Sequence, residues 1–427
     1  MTLRKKLFWI SVFYFAQGMP FGVVLDVLPV YFRQNGVSLK EIGMMGALTL
    51  PWTIKVLWAP LLDRFGQRRT WVTICCLAMA AAMFSVPLMD ASNPDLILWM
   101  LLIAFTVSSA TQDVAIDAFA VGIASKGEEG AINSIRAGMY RLGVLLCGGL
   151  TMYLVAPLGW TWVFLALALS FLVMAIAALV APTVEVVHQQ PREWARGFLA
   201  FLSRPGSIAI FLFVLIYRMD YVAVGPMIKP FWIDRGMTPA EIGTISTSVG
   251  MILGIVGAAL GGLFTSRFGI FHGLWLLGIS QALPNLGYAA VAQFSLGRPY
   301  LYAVSMAESF GAGLATAAFL SFLMRISDKR QAATQYALLT ALYALPRSVL
   351  APIGGKVADL WGYPTFFFLT FLLAIPSYLL LPWVYRWIGP NGRRPEGAGA
   401  ESAQDDPSGG SPDPHTPGQR TASAAVR

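Results

Sequence analysis

Twelve apolar stretches follow one another along this chain, each near the roughly 20 residues that a membrane-spanning helix needs. That succession constrains the fold more than any other feature. A helix that is apolar on every side has to be buried on every side, by protein or by lipid. The composition agrees, with 56% hydrophobic residues and only 12% charged ones, against the roughly 25% charged that is usual for soluble domains. The expectation is an all-α polytopic membrane protein of twelve transmembrane helices. The spans are predicted over 7–32, 41–62, 70–89, 96–122, 132–155, 160–181, 206–232, 240–265, 270–293, 299–326, 332–358 and 363–387.

The net charge of +8 marks orientation, not nucleic acid. Arg4, Lys5 and Lys6 precede the first span, and Arg64, Arg68 and Arg69 follow the second. Arg192, Arg196 and Arg204, then Lys329 and Arg330, then Arg393 and Arg394 lie on the same side of the membrane. The opposite loops hold only Arg33, Lys40, Arg235 and Arg298. Positive residues mark the cytoplasmic side, so both termini are expected inside, in the inner membrane of a bacterium. The first apolar run lacks a small-residue cleavage site and reads as a retained span.

The two halves of the chain repeat each other. NGVSLKEIG at 35–43 returns as RGMTPAEIG at 235–243, and DRFG at 63–66 as SRFG at 266–269. LGWTWVFLALAL at 158–169 returns as WGYPTFFFLTFL at 361–372. Ser38 with Glu41, and Thr238 with Glu241, have the spacing of capping boxes that would start spans 2 and 8. Six spans, repeated, is the layout of the major facilitator fold, two six-helix pseudo-symmetric bundles with the substrate path between them. The expected units are 1–182 and 206–388 for the bundles, 183–205 for a cytoplasmic linker with a short surface helix, and 389–427 for a disordered tail rich in Pro, Gly and Ser.

Glycine and proline interrupt two corresponding helices, GMPFG at 18–22 in span 1 and VGPMIKP at 224–230 in span 7. They are read either as ordinary kinks or as gating hinges. Gly250, Gly254, Gly257 and Gly261 are small-residue pairs suited to close helix packing in span 8.

Enzymatic chemistry finds no support. The three histidines, His188, His272 and His415, fall in the linker, at a helix start and in the tail, so no catalytic triad or metal set assembles at membrane depth. The three cysteines, Cys75, Cys76 and Cys147, fall within spans and offer neither a disulfide frame nor a zinc spacing. No phosphate-cradling glycine loop is present, so ATP is not the expected energy source. The expected partners are a small-molecule substrate and the bilayer, with no cofactor and a proton gradient as the drive. The chain is expected to act as a monomer.

Charged groups at membrane depth are expensive and are functional candidates by default. SSATQDVAIDAFAVG at 108–122 carries Gln112, Asp113 and Asp117 inside span 4, with the aspartates four apart on one helix face. Lys55 lies at a comparable depth on span 2. Arg136 and Arg141 lie about 6 and 14 Å into span 5 at 1.5 Å per residue. These groups are expected to form a network. Two readings stay open. The network is a fixed ion cluster, or Asp113 or Asp117 binds the coupling proton, with Asp113 nearer the midplane. The second half offers Arg218 and Asp220 on span 7, Glu308 on span 10 and Arg347 on span 11. An Arg218–Glu308 pair is geometrically open, and Arg218 and Arg347 suit an anionic substrate group. Gln17 and Asp26 on span 1 and Tyr140 on span 5 complete the substrate-binding candidates, with Asp26 near the outer mouth. Tyr14, Tyr217, Tyr221 and Tyr343 are deep enough to pack or to stack on a sugar.

Two stretches carry a family resemblance. IKVLWAPLLDRFGQRR at 54–69 and SSATQDVAIDAFAVGIASKGEEGAINSIRAGMYRLGVL at 108–145 resemble the span 2–3 and span 4–5 regions of the AmpG muropeptide permease and acetyl-CoA transporter branch of the major facilitators. The resemblance implies twelve helices, alternating access and proton-coupled uptake of a medium-sized polar or amphipathic solute such as a muropeptide. It implies an inner gate at Asp63, Arg64, Arg68 and Arg69. It places Lys55, Gln112, Asp113, Asp117, Tyr140 and Arg141 in the polar network. Siderophore-type importers share the short form. Span 5 lacks the G-P-x-x-G-G run of drug antiporters, which favours import over efflux. A membrane sensor that kept the fold without transport is the remaining reading, and the many costly charges argue against it.

Overall fold

Both capping boxes form. The Ser38 hydroxyl accepts from the Glu41 backbone N–H at 3.2 Å, and the Glu41 carboxylate accepts from the Ser38 N–H at 3.3 Å. Thr238 and Glu241 repeat the arrangement at 3.2 and 2.8 Å. Each box satisfies N–H groups that a helix start leaves without partners, and so fixes where a helix enters the membrane.

The computed structural model describes residues 1–64, 67–123, 128–183, 206–326 and 332–388. Among these the chain forms twelve helical segments and no strand. They are α1 (Leu3–Gln34), α2 (39–64), α3 (Arg68–Leu88), α4 (Leu96–Ile123), α5 (129–158), α6 (160–179), α7 (Ser207–Asp234), α8 (Pro239–Phe268), α9 (270–293), α10 (Arg298–Ile326), α11 (332–361) and α12 (363–388). All twelve predicted spans are present, with boundaries displaced by about four residues at most. The linker beyond 183 and the tail beyond 388 lie outside the described residues.

Glycines with positive φ set the sharpest corners, in matching places. Gly36 and Gly236 have φ of 84° and 72°. Gly159, between α5 and α6, has φ 77° and ψ 164°, and Gly362, between α11 and α12, has φ 76° and ψ 166°. Next to these corners the Trp160 indole donates to the Gln34 side chain at 2.9 Å, and the Tyr363 hydroxyl donates to Asp234 at 2.7 Å. The repeated sequence therefore builds the same corner twice, closed by an aromatic hydrogen bond of the same topology.

The two interrupted helices behave differently from the hinge expectation. α1 stays helical through Pro20, and its glycines serve packing. A Cβ at Gly18 would meet the Tyr140 carbonyl of α5, and one at Gly22 the backbone at Val144 and Gly148. A π-type turn over Val23–Val27 follows and carries Asp26. In α7 the helix runs through Pro226 and Pro230, and the break falls earlier, at Arg218, with φ −117° and ψ 21°. The α8 glycines act as expected, with Gly257 and Gly261 against the Phe310 and Leu314 backbone of α10.

The described contacts between the halves are concentrated on the face that carries the two capping boxes, here the cap face. Gly43 of α2 lies on Gly355 of α11 so closely that a Cβ on either would overlap the other's backbone. Gly243 in a π-type turn of α8 lies on Gly149 in a π-type turn of α5, where a Cβ at Gly243 would overlap the Gly149 carbonyl and one at Gly149 would meet the Ser248 hydroxyl. Small residues allow that approach in a membrane, where packing rather than water exclusion drives helix association. Thr49 and Ser348 share a hydrogen bond of 2.9 Å across the same seam. The opposite face, with the amino terminus, is here the terminal face.

Candidate functional site

The charges of the first half form two linked clusters. Asp113, only 6% exposed, accepts from the Lys55 ammonium and from the Gln17 amide. One turn on, Asp117 accepts from the Tyr14 hydroxyl at 2.7 Å and from Arg136 at 3.0 Å. The Arg136 guanidinium lies 4.6 Å from the centre of the Tyr14 ring, a cation–π contact. The like charges at four-residue spacing are thus tolerated because each carboxylate has its own cation. Gln17 belongs to this network through its amide nitrogen.

Two expected members stand apart. Gln112 points back into the bundle, with its amide 3.3 Å from the Cys76 sulfur. Its neighbour Asp113 faces the other way, because adjacent residues on a helix point about 100° apart. Arg141 is exposed and joins no ion pair among the described residues. At the expected gate, Arg68 donates to the Leu62 carbonyl at 2.7 Å, and Arg69 to the Ala181 carbonyl at 3.1 Å. These bonds tie the α2–α3 turn to the end of α6. The side chains of Asp63 and Arg64 lie outside the described residues.

The second half pairs its charges less completely. Arg218 donates to the Thr316 hydroxyl at 2.6 Å and lies over the Tyr221 and Tyr343 rings at 4.6 and 5.5 Å. It does not pair with Glu308, because the break at Arg218 directs the guanidinium toward Ala312 and Thr316, one and two turns further along α10. Asp220 accepts from Gln281 of α9 at 2.9 Å. Glu308 and Arg347 make no hydrogen bond or ion pair among the described residues, and the Arg347 Nε is buried without a partner.

Lys229, absent from the sequence candidates, joins the halves. Its ammonium donates to the Asp26 carboxylate and, at 3.0 Å, to the Leu25 carbonyl. The signal for it was present: a lone lysine within the apolar run VAVGPMIKPFW meets the same criterion as the other intramembrane charges. Asp26 fits only because position 148 of α5 is glycine, where a Cβ would collide with its carboxylate. A second bridge between the halves, Arg33 with Asp234, lies nearer the cap-face surface.

Half-buried aromatic groups of the first half pack on one another near these charges. Phe21 and Trp52 stack at 4.0 Å with 22° between their planes, and Tyr140 meets Phe21 edge-on at 5.5 Å. Tyr140 lies within the electrostatic reach of both Asp113 of its own half and Arg347 of the other. The first half therefore offers flat ring faces and a hydroxyl, and the second half an uncommitted guanidinium.

The Major Facilitator Superfamily profile matches residues 10–349. The anhydromuropeptide permease of Escherichia coli (strain K12) is 29% identical over 383 residues, covering 86% of this chain and 77% of that protein. An uncharacterized protein of Haemophilus influenzae is 33% identical over 394 residues, covering 87% of this chain and 92% of its own length. Among solved structures, a bacterial homologue of the human lysosomal transporter Spinster, inward-facing and unoccupied, superposes with a TM-score of 0.73 at 13% identity, over 90% of this chain and 98% of that one. That likeness concerns the fold alone, and the sequence relatives carry the family. The chain belongs to the Major Facilitator Superfamily, as a transporter of its AmpG branch.

Proposed function

We propose that this transporter imports a medium-sized sugar–peptide of the muropeptide type across a bacterial inner membrane, by alternating access driven by the proton gradient. The observation that carries the reading is a stacked ring pair on one half and an uncommitted guanidinium on the other. The Phe21–Trp52 stack offers an apolar plate for a sugar face, and Arg347 of the other half offers a forked donor for a carboxylate. Similarity to an anhydromuropeptide permease supports that pairing of chemistries.

The cap face is the outer side in this reading, as the charge asymmetry implies. The glycine seams and the two ion pairs that join the halves then close the outer gate, and the substrate path faces the cytoplasm. Both termini are cytoplasmic. The carboxylates of the first half each hold a contact cation, which supports the fixed-cluster reading of Asp113 and Asp117. Their part would be to keep α1, α2, α4 and α5 moving as one body.

The test is uptake of a labelled anhydromuropeptide into proteoliposomes, with and without an inwardly directed proton gradient. Accumulation above the external concentration only with the gradient is expected. Equilibration unaffected by the gradient would remove proton coupling, and uptake of siderophores or CoA esters in place of the muropeptide would reassign the substrate.

A further inference from the structure

Of the acidic side chains at membrane depth, all but one have a direct partner among the described residues. Asp26 holds Lys229, Asp113 holds Lys55 and Gln17, Asp117 holds Arg136 and Tyr14, and Asp220 holds Gln281. Glu308 of α10 has none, although it is only 9% exposed. A buried carboxylate without a contact partner is costly, so the chain has reason to keep it if another state pairs it.

The surroundings of Glu308 name that partner. α7 brings the Arg218 and Lys229 charges within its electrostatic reach. Tyr221 of α7 and Tyr288 of α9 also feel the Glu308 charge. α11 adds Tyr343 and Arg347 beyond Tyr221. α8 has no titratable side chain between Glu241 and Arg267. Arg218 is engaged by Thr316 and by two aromatic rings. Lys229 is held by Asp26, which belongs to the other half. When the cap face opens, α1 and α7 must part and Asp26 must leave Lys229. Glu308 stays in the same half as Lys229 and is the acid within its reach.

We propose that Lys229 exchanges between Asp26 when the cap face is closed and Glu308 when it is open, and that Glu308 carries the coupling proton. This rests on the proton-coupled reading above. In the open state the Glu308 carboxylate balances Lys229, and Asp26 is solvated from outside. Closure returns Lys229 to Asp26 and leaves Glu308 alone, so a proton from the outer solution binds its carboxylate first. With the terminal face open, that O–H bond breaks and the proton leaves to the inner solution. Glu308 must be a carboxylate again to receive Lys229 on reopening. One proton enters per cycle, and apart from the Lys229 ion-pair exchange no other bond is made or broken.

The test uses the full chain, with spin labels at Lys40→Cys of α2 and Asp359→Cys of α11, two exposed cap-face positions on opposite halves. Distances are measured without substrate at low and high pH, beside anhydromuropeptide uptake. In the parent chain the short, closed distance should gain population as pH falls. Glu308→Gln should hold the closed distance at both pH values and lose uptake, and Glu308→Asp should restore both responses. A Glu308→Gln chain that accumulates substrate or responds to pH like the parent overturns the proposal. So does a pH-independent parent. A Glu308→Asp chain that behaves like Glu308→Gln also overturns it, since α10 would then need side-chain volume and not charge. If the parent responds in distance yet takes up no anhydromuropeptide, the substrate reading fails and the exchange stands.

Discussion

The Arg33 guanidinium of α1 grips the Asp234 carboxylate of α7 through two hydrogen bonds of 2.6 Å, so the extreme cap-face ends of the two halves are tied side chain to side chain. The Tyr363 hydroxyl shares the same carboxylate at 2.7 Å. The geometry is bidentate, but both partners are about a quarter exposed, at 22% and 27%. An ion pair in that setting contributes roughly 0.2–1 kcal/mol. It biases the closed state without holding it shut.

Arg33→Ala should therefore shift the balance toward the cap-open state only a few-fold, since about 1 kcal/mol is a factor of five. The measurement is the labelling rate of an introduced cap-face cysteine, in an otherwise intact chain. The native cysteines are buried and stay silent. A shift of a hundredfold or more would mean that the pair is the main lock.

The glycine seam should behave as the main lock. Gly43 and Gly355 leave no room for a Cβ while the cap face is closed. Gly355→Val is expected to abolish uptake and leave the cap face open to labelling. Thermal stability should change little, because opening relieves the overlap without disturbing either bundle. A Gly355→Val chain that transports at the parent rate would show that the halves never approach this closely in the cycle.

This seam also shows what the sequence could and could not reveal. The twelve helices were legible because each span has to satisfy its own backbone in lipid, which leaves a strong and local signal. The repeat was legible because Gly36, Gly236, Gly159 and Gly362 sit at corners only glycine fits easily. That Lys55 and Arg136 share a network with Asp113 and Asp117 followed from depth, but which cation takes which carboxylate did not. The register between the halves did not. Nothing local in VAVGPMIKPFW states that Lys229 faces Asp26, or that the residue opposite Asp26 is Gly148. The break in α7 was misplaced for a related reason, because glycine and proline mark where a helix may bend and tertiary packing decides where it does.

The fixed-cluster reading of Asp113 makes a stability prediction. Asp113→Asn leaves the Lys55 ammonium without its contact carboxylate. Breaking a buried pair costs about 3–5 kcal/mol, and the lower end applies because Lys55 is 28% exposed. At about 2.1 cal/mol/K of unfolding entropy per residue, a loss of about 3 kcal/mol in a chain of 427 residues should lower thermal unfolding in detergent by about 3 °C. The double variant Asp113→Leu with Lys55→Met should recover most of the loss, since neither charge then lacks a partner. An Asp113→Asn chain of parental stability that loses only gradient-driven accumulation would return the proton to Asp113.

Arg347 gives the most direct view of the substrate. Its guanidinium lies within the electrostatic reach of Tyr221, Tyr343 and Tyr140, with no protein anion bonded to it among the described residues. If it receives a substrate carboxylate, Arg347→Ala removes a charge-assisted hydrogen bond made as strongly to bound substrate as to the translocating complex. Such a bond is worth about 1.5–3 kcal/mol, so KM for an anhydromuropeptide should rise roughly ten- to a hundredfold with kcat little changed. Arg347→Lys should recover only part of the affinity, because a point charge replaces a planar fork. A ligand whose peptide carboxylates are amidated should bind the parent chain weakly and be almost insensitive to the substitution. Equal sensitivity of the acid and the amide to Arg347→Ala would mean that the guanidinium supports the tyrosine rings and does not touch the substrate.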